Sequence, residues 1–440
     1  MNRQTKNRPR LLLLDQTPIT GSAATSALKH ALLGDWPADA LLQVLMMGKA
    51  PALAAATGRP RPIAARGDLA EALLEFYQPE VILYRPVAEY PHFGRLAMDL
   101  IASTTAPVVI WMMDDWPARL LQRGSEAHAA ADRDLKTLFQ RARASFVISD
   151  AMAEAFRERY GVEFKIAHGG ITPTEWPKRK QPDDGVVRVR YAGSLAPDTT
   201  QDSVFAVAHA VSRVAEAGRR VAFEARSQTQ WLADHQDRFN ALPGVRLAAA
   251  DLTAEEYRQW LSDADVVLVA YNFDETTRTY LRYSLANKTA EALASGAAVL
   301  AYGPSDIETI SILKDSRAAV VIDAPSADRL EAALCALIDD PERRQAMGAT
   351  GRRLAAERFD LSVQREALVD ALCQAARPTE PLSGEEPHAR SAGARAAVKA
   401  FRTRTSAYRA TADWLHDNFP HLAKLLHGPA VRVKAILRKK

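Results

Sequence analysis

The stretch Ser284–Pro304, SLANKTAEALASGAAVLAYGP, sets Lys288 and Glu291 three residues apart in an otherwise alanine- and leucine-rich segment. Ser284 suits an N-cap. A helix beginning at Leu285 then holds Asn287 and Lys288 in its first turn, with Glu291 on the face of Lys288 one turn later. A helix N-terminus attracts anions through its free N–H groups and macrodipole, so a lysine there is repelled unless an anion lies between. A phosphate resolves the conflict. Glu291 offers two acceptor oxygens, which suit vicinal hydroxyls such as those of a ribose. Lysine for phosphate and glutamate for ribose describe a nucleoside-diphosphate site. The same spacing also fits a solvated ion pair worth only about 0.2–0.5 kcal/mol.

The elements that must position these residues follow a regular rhythm. RLLLLD precedes a helical stretch around Ala23–Leu33, PEVILYRP precedes FGRLAMDLIAS, APVVIWMMD precedes another helical stretch, and ASFVIS precedes DAMAEAFRERYG. This is the strand–helix alternation of a parallel sheet covered on both faces. It lapses in TPTEWPKRKQPDDG, rich in proline and charge, and restarts with the strand VRVRYAGS, a helix to Gly218, the strands RVAFEAR and GVRLAAA, the helix TAEEYRQWLSDA, the strand DVVLVAY, the opening helix and strand, and then AAVVIDA with two further helices. The expected organisation is α/β: two doubly wound units in tandem, at 9–175 and 187–358, with a linker at 176–186. A closing helix at 359–376 and a tail at 377–440 follow. Ligands in such sheets bind outside the carboxyl ends of the strands, and a cleft is expected between the units.

Composition excludes several classes. The chain is 48% hydrophobic and 25% charged, ordinary for a globular protein, and its two cysteines cannot make a disulfide framework, which favours a reducing cytoplasm. The longest apolar runs, such as Pro107–Met113, are far shorter than the roughly 20 residues of a membrane span. After a basic start the N-terminus has only Leu11–Leu14, too short for a secretory signal and read as the first strand. The net charge of +4 is uneven: Pro381–Lys440 has 12 basic and 4 acidic residues, so the remainder carries −4. The tail mixes aromatic, apolar and basic positions, as segments lying on anionic membranes do. It matches no nucleic-acid motif. Membrane contact through 381–440 is therefore one expectation, and a solvated or partner-packed helix is the other.

SLANKTAEALASGAAVLAYGP resembles the donor-site signature of the GT-B glycosyltransferases, in particular the large retaining family that builds bacterial polysaccharides. Lys288, Glu291, Ala294, Gly296 and Val299 fit its pattern, with Ala298 in place of the usual proline and Tyr283 where many members have a first glutamate. YAGSLAPDT resembles the first strand and phosphate-proximal loop of the second domain, but Ala196-Pro197-Asp198-Thr199 lacks the lysine often found there. The resemblance spans about residues 10–376. It implies the GT-B fold and transfer of a sugar from a nucleoside diphosphate sugar to a hydroxyl, on a glycan or lipid-linked acceptor, with retention of configuration. It also implies a donor set of Gly193, Ser194, Arg282, Ser284, Asn287, Lys288 and Glu291, with Arg278 a further candidate for the phosphate charge.

The expected acceptor side comes from strand ends of the first unit: Asp15, Gly21, Ser22, Arg85 and His92, with Thr20-Gly21-Ser22 placed where relatives have a glycine-rich acceptor loop. Asp114 and Asp115 end an apolar strand, as either helix caps or hydroxyl ligands, and join Lys288 as the candidate catalytic residues. His92 also reads as structural, and His168 stands near the interdomain edge. No His/Cys cluster has metal spacing, so neither metal nor cofactor is expected. A dehydrogenase is disfavoured because no first strand leads into G-x-G-x-x-G. A nucleotide-sugar epimerase of the same fold, or a degenerate GT-B module that binds without catalysis, are the rival readings.

Overall fold

In the computed structural model, residues 8–20, 24–47, 50–55, 60–62, 69–70, 73–87, 91–180, 184–377 and 414 are described. Gly21, Ser22 and the basic tail at 381–440, apart from Trp414, lie outside them. Contacts divide the chain into two compact units. The first comprises Met1–Met112, Leu135–Phe146 and Ala367–Lys440, and the second Met113–Asp134 and Val147–Glu366.

The first sheet has eight strands, β1 (Leu11–Leu14), β2 (Leu41–Met47), β3 (Ala50–Ala55), β4 (Arg61–Pro62), β5 (Val81–Tyr84), β6 (Val108–Trp111), β7 (Ala144–Val147) and β8 (Lys165–Ile166), in the order β4-β3-β2-β1-β5-β6-β7-β8. Strands β1, β5 and β6 are buried along their whole length, which is why they read as unbroken apolar runs. The pairs from β2 through β1, β5 and β6 to β7 are parallel, whereas β2 and β3 form an antiparallel hairpin. The strand–helix rhythm gave no sign of that hairpin.

The second sheet is wholly parallel: β9 (Val187–Ala192), β10 (Val221–Ser227), β11 (Val245–Ala249), β12 (Val266–Ala270), β13 (Ala298–Tyr302) and β14 (Ala319–Ile322). Its order, β11-β10-β9-β12-β13-β14, reverses direction between β9 and β12. At such a switch point the crossovers leave β9 and β12 on opposite faces, opening a crevice at their carboxyl ends. One face packs on the helices Gln201–Glu216 and Ala327–Asp339, and the other on the helices Asn287–Ser295 and Glu308–Asp315.

Candidate functional site

Strand β9 ends at Ala192, and the chain then passes through Gly193 and Ser194 at the switch point. The helix Asn287–Ser295 faces this turn. It starts two residues later than Ser284 capping would give. Its N-cap is Ala286, and no side chain among the described residues caps it. The reason lies at Ser284, whose hydroxyl donates to Asp114 Oδ1 at 2.8 Å while its carbonyl accepts from Thr309 Oγ1 at 3.0 Å. A serine held by a distant carboxylate cannot serve its own helix. The helix ends where expected, at Gly296, whose φ of 78° is the left-handed conformation glycine adopts freely.

Lys288 is thus in the first turn of an uncapped helix. Its ammonium lies 3.3 Å from the Tyr191 hydroxyl and 4.9 Å from the centre of that ring. It also rests on Gly193, where a Cβ would collide with Nζ and with the Tyr191 hydroxyl. Only glycine lets the backbone approach so closely. Tyr191 in turn donates to Ser194 O at 2.6 Å, and Thr200 Oγ1 donates to the same carbonyl at 2.7 Å. Burial works against the lysine's charge, but Tyr191, Tyr271 and Glu291 outweigh it and hold the amine above its ordinary pKa. Glu291, one turn on, accepts from the Tyr257 hydroxyl at 2.7 Å. Its burial raises the carboxyl pKa despite opposing contributions from Tyr257 and Lys288. Asn287 packs its side chain on Gly169 of the AHGG stretch, so that stretch does reach the helix start. His168 itself hydrogen-bonds its neighbour's carbonyl at Gly169 and lies against Phe359.

The structure separates the two aspartates. Asp114 meets Ser284, two residues before the N-cap of the Lys288 helix. Asp115 has a structural post: it caps the helix Trp116–Arg119 through Ala118 N at 3.3 Å and takes both oxygens to Arg159 Nη1 at 3.0 and 3.1 Å. Arg159 also pairs with Asp132, to which Tyr160 donates. Burial lifts the Asp115 pKa, with Arg159 opposing. The capping reading of Asp115 is thus the one its contacts support, in place of a catalytic post. Arg278 is tied to Asp306 at 2.8 Å, while Arg282 is exposed. Asp198, in the loop that lacks the expected lysine, pairs with Arg119 at 2.6 Å, and that guanidinium lies over Tyr280 at 4.8 Å.

Two acceptor candidates of the first unit have partners of their own. Arg85 grips Asp15 at 2.6 and 2.9 Å and Thr17 Oγ1 at 3.0 Å, all inside the unit. Lys29, fully buried, meets the same carboxylate at 2.8 Å. Two cations on one aspartate leave an excess positive charge. Burial pushes Lys29 down to about 8, although Asp15 opposes this, whereas its two cations hold the Asp15 carboxyl below its usual value against burial. His92 is exposed and bonds Arg95 one turn on at 2.7 Å, which suits a surface role over an acceptor ligand.

Sequence reasoning passed over Tyr191, Tyr257 and Asn272. Asn272, just past β12, joins both switch-point loops by donating to Pro197 O at 2.8 Å and accepting from Ser203 N at 3.1 Å. A positional signal existed for Asn272, which follows the apolar run VVLVA at the expected crevice, but none marked Tyr191 or Tyr257.

The fold so defined is that of the GT-B glycosyltransferases. Residues 209–370 match the family model described as glycosyl transferase-like. Among solved structures, sucrose-phosphate synthase from Thermosynechococcus elongatus superposes with a TM-score of 0.58 at 13% identity, over 84% of this chain and 99% of its own. HepE from Anabaena, in complex with UDP-glucose, gives 0.60 at 14% identity, over 83% and 99%. A glycosyltransferase from Rickettsia africae gives 0.58 at 10%, over 85% and 100%. No curated protein matches by sequence. Among the described residues no helix is long and apolar enough to cross a membrane.

Proposed function

We propose that the chain transfers a sugar from a nucleoside diphosphate sugar to a hydroxyl acceptor, with the helix Asn287–Ser295 holding the donor. The observation that carries this reading is the position of Lys288, in the first turn of an uncapped helix and folded onto Gly193 at the switch point. The helix N–H groups and the ammonium converge on one place, which suits a diphosphate. Glu291, with one oxygen engaged by Tyr257, keeps a second to accept from a hydroxyl of the ribose or sugar. The UDP-glucose complex of HepE, which shares the fold, makes uracil the first base to test.

Charge that builds on the leaving diphosphate is met by Lys288 and the helix end, donors fixed before the reaction begins. This route asks for no metal. Asp114, held by Ser284 beside the same helix, is placed to orient the acceptor hydroxyl, whose proton passes to the departing phosphate as the glycosidic bond forms with retention. Within this reading the chain acts in the cytoplasm on a glycan or lipid-linked acceptor in bacterial surface polysaccharide assembly, and its basic tail contacts anionic lipid.

The test is isothermal titration with UDP and with GDP for the wild type, Lys288→Ala and Glu291→Ala. Binding that each substitution weakens by about 1 kcal/mol or more, the scale of a charged hydrogen bond, supports the reading and names the base. Binding indifferent to both variants removes the helix from the donor site.

A further inference from the structure

A second concentration of positive charge lies on the other half of the second sheet. Along β9, β10 and β11 the alternate residues Val187, Val189, Phe223 and Val245 enter the core, so Arg188, Arg190, Glu224 and Arg246 share the opposite face. In the register Glu224 lies opposite both Arg190 on β9 and Arg246 on β11. These four residues line a cavity of about 300 Å³. That is the lower end of the range for small-molecule sites.

Among the residues that line the cavity three arginines face one glutamate, while Asp263 and Asp265 act on Arg188 and Arg190 from beside it. The Glu224 carboxylate accepts from Arg226 Nε at 2.9 Å, and Arg188 is paired with Asp184. Arg246 has no ion pair among the described residues and is exposed. Arg190 lies over the Trp260 ring at 5.1 Å, with Arg226 over the same ring at 5.4 Å, yet its Nη1 is buried and without a hydrogen-bond partner among the described residues. A buried unmatched N–H on a cation is unfavourable unless an acceptor meets it. The tryptophan ring beside it restricts the guanidinium, and arginine forks match the oxygens of a phosphate.

We propose that this cavity binds a phosphate group, using Arg190 and Arg246 with Arg188 at its rim. The site is distinct from the donor helix: Arg188 and Arg190 precede Gly193 along an extended strand by roughly 10–16 Å. It does not rest on the glycosyltransferase reading. The phosphate could belong to a free solute or to a lipid headgroup, and the chemistry of recognition is shared.

The full chain and its Lys288→Ala, Arg190→Gln and Arg246→Glu variants would be titrated with inorganic phosphate and floated with vesicles containing phosphatidic acid, with folding checked by circular dichroism. The expected result is phosphate binding that persists when Lys288→Ala removes any contribution of the donor helix and that Arg246→Glu weakens at least tenfold, which assigns a free solute. Flotation that Arg246→Glu abolishes, without binding of free phosphate, assigns a lipid headgroup. Arg246 is exposed, so its substitution keeps the test valid even where Arg190→Gln fails to fold. Phosphate binding lost in Lys288→Ala but kept in Arg246→Glu, or no response of either ligand to Arg246→Glu, overturns the proposal.

Discussion

The Lys288 ammonium and the Gly193 backbone occupy adjoining space, with no room for a side chain between them. This contact joins the first turn of one helix to the end of the strand that begins the second sheet, residues 95 positions apart. Gly193→Ala would drive Nζ away from both the turn and the Tyr191 hydroxyl. We expect UDP affinity to fall about tenfold, the scale of one charge-assisted contact, as read by titration calorimetry. Unchanged affinity would mean that the lysine does not need this seat to hold the donor.

Glu291 carries a second test. Its folded pKa lies above the unfolded value of 4.5 because burial disfavours the carboxylate. The folded state therefore binds more protons, and stability from this group is greatest below the unfolded pKa and falls as pH rises through the folded one. Glu291→Gln removes the buried charge and keeps an acceptor for Tyr257. Its melting temperature should exceed wild type at pH 7, with the gap closing near pH 4, while UDP binding weakens. A variant less stable than wild type at pH 7 would show that the charge is not a burden in the free protein.

What was readable in the sequence follows physical range. Lys288, Glu291 and Gly296 declare themselves because helix spacing and a glycine stop are local signals. Gly193 and Ser194 are reached through the resemblance of YAGSLAPDT to a phosphate-proximal loop. The start of the helix was misplaced because Ser284 is held by Asp114, 170 residues away, and no local propensity encodes that bond. Arg85 beside Asp15 and Arg159 beside Asp115 are likewise tertiary pairs. The β2–β3 hairpin escaped notice because LLQVLMMGKAPALAAA is apolar on both sides of its turn and shows no strong alternation.

Arg159 is the counterion that makes a buried Asp115 tolerable. Replacing it with methionine strands the carboxylate, so Arg159→Met should lose about 1–3 kcal/mol in urea denaturation at pH 7. The Asp115 folded pKa is already raised by burial and rises further without its partner. The folded state then takes up protons the unfolded state lacks, so the loss should shrink as pH falls toward 4. A deficit independent of pH would assign it to Asp132 and Tyr160 instead.

Asp114→Asn separates chemistry from scaffold. The amide can still accept from Ser284, so UDP binding should stay within about threefold of wild type. Sugar transfer should fall by about a hundredfold if this carboxylate orients the acceptor, the lower end of what a positioned acid or base contributes. Transfer at the wild-type rate would leave Asp114 as a tie to Ser284 and nothing more.

In the first unit, Lys29 and Arg85 compete for Asp15, and the lysine yields. Its amine is depressed from 10.5 to about 8, chiefly by burial, with Arg85 adding to the effect and Asp15 resisting it. The unfolded chain binds the proton more readily, so stability from this group rises with pH between about 8 and 10.5, and at pH 7 the lysine is a burden. Asp15 works in the opposite sense: held below 3.8, it contributes stability above that value that is lost as pH falls through its folded pKa. Lys29→Met keeps the Arg85 fork on Asp15 and removes the surplus charge. Its stability relative to wild type should therefore be highest at pH 7 and decline toward pH 10.5, measured by urea denaturation across that range. A relative stability that does not change between pH 7 and 10.5 would mean that Lys29 keeps its proton throughout, matched by Asp15 and the Thr17 carbonyl.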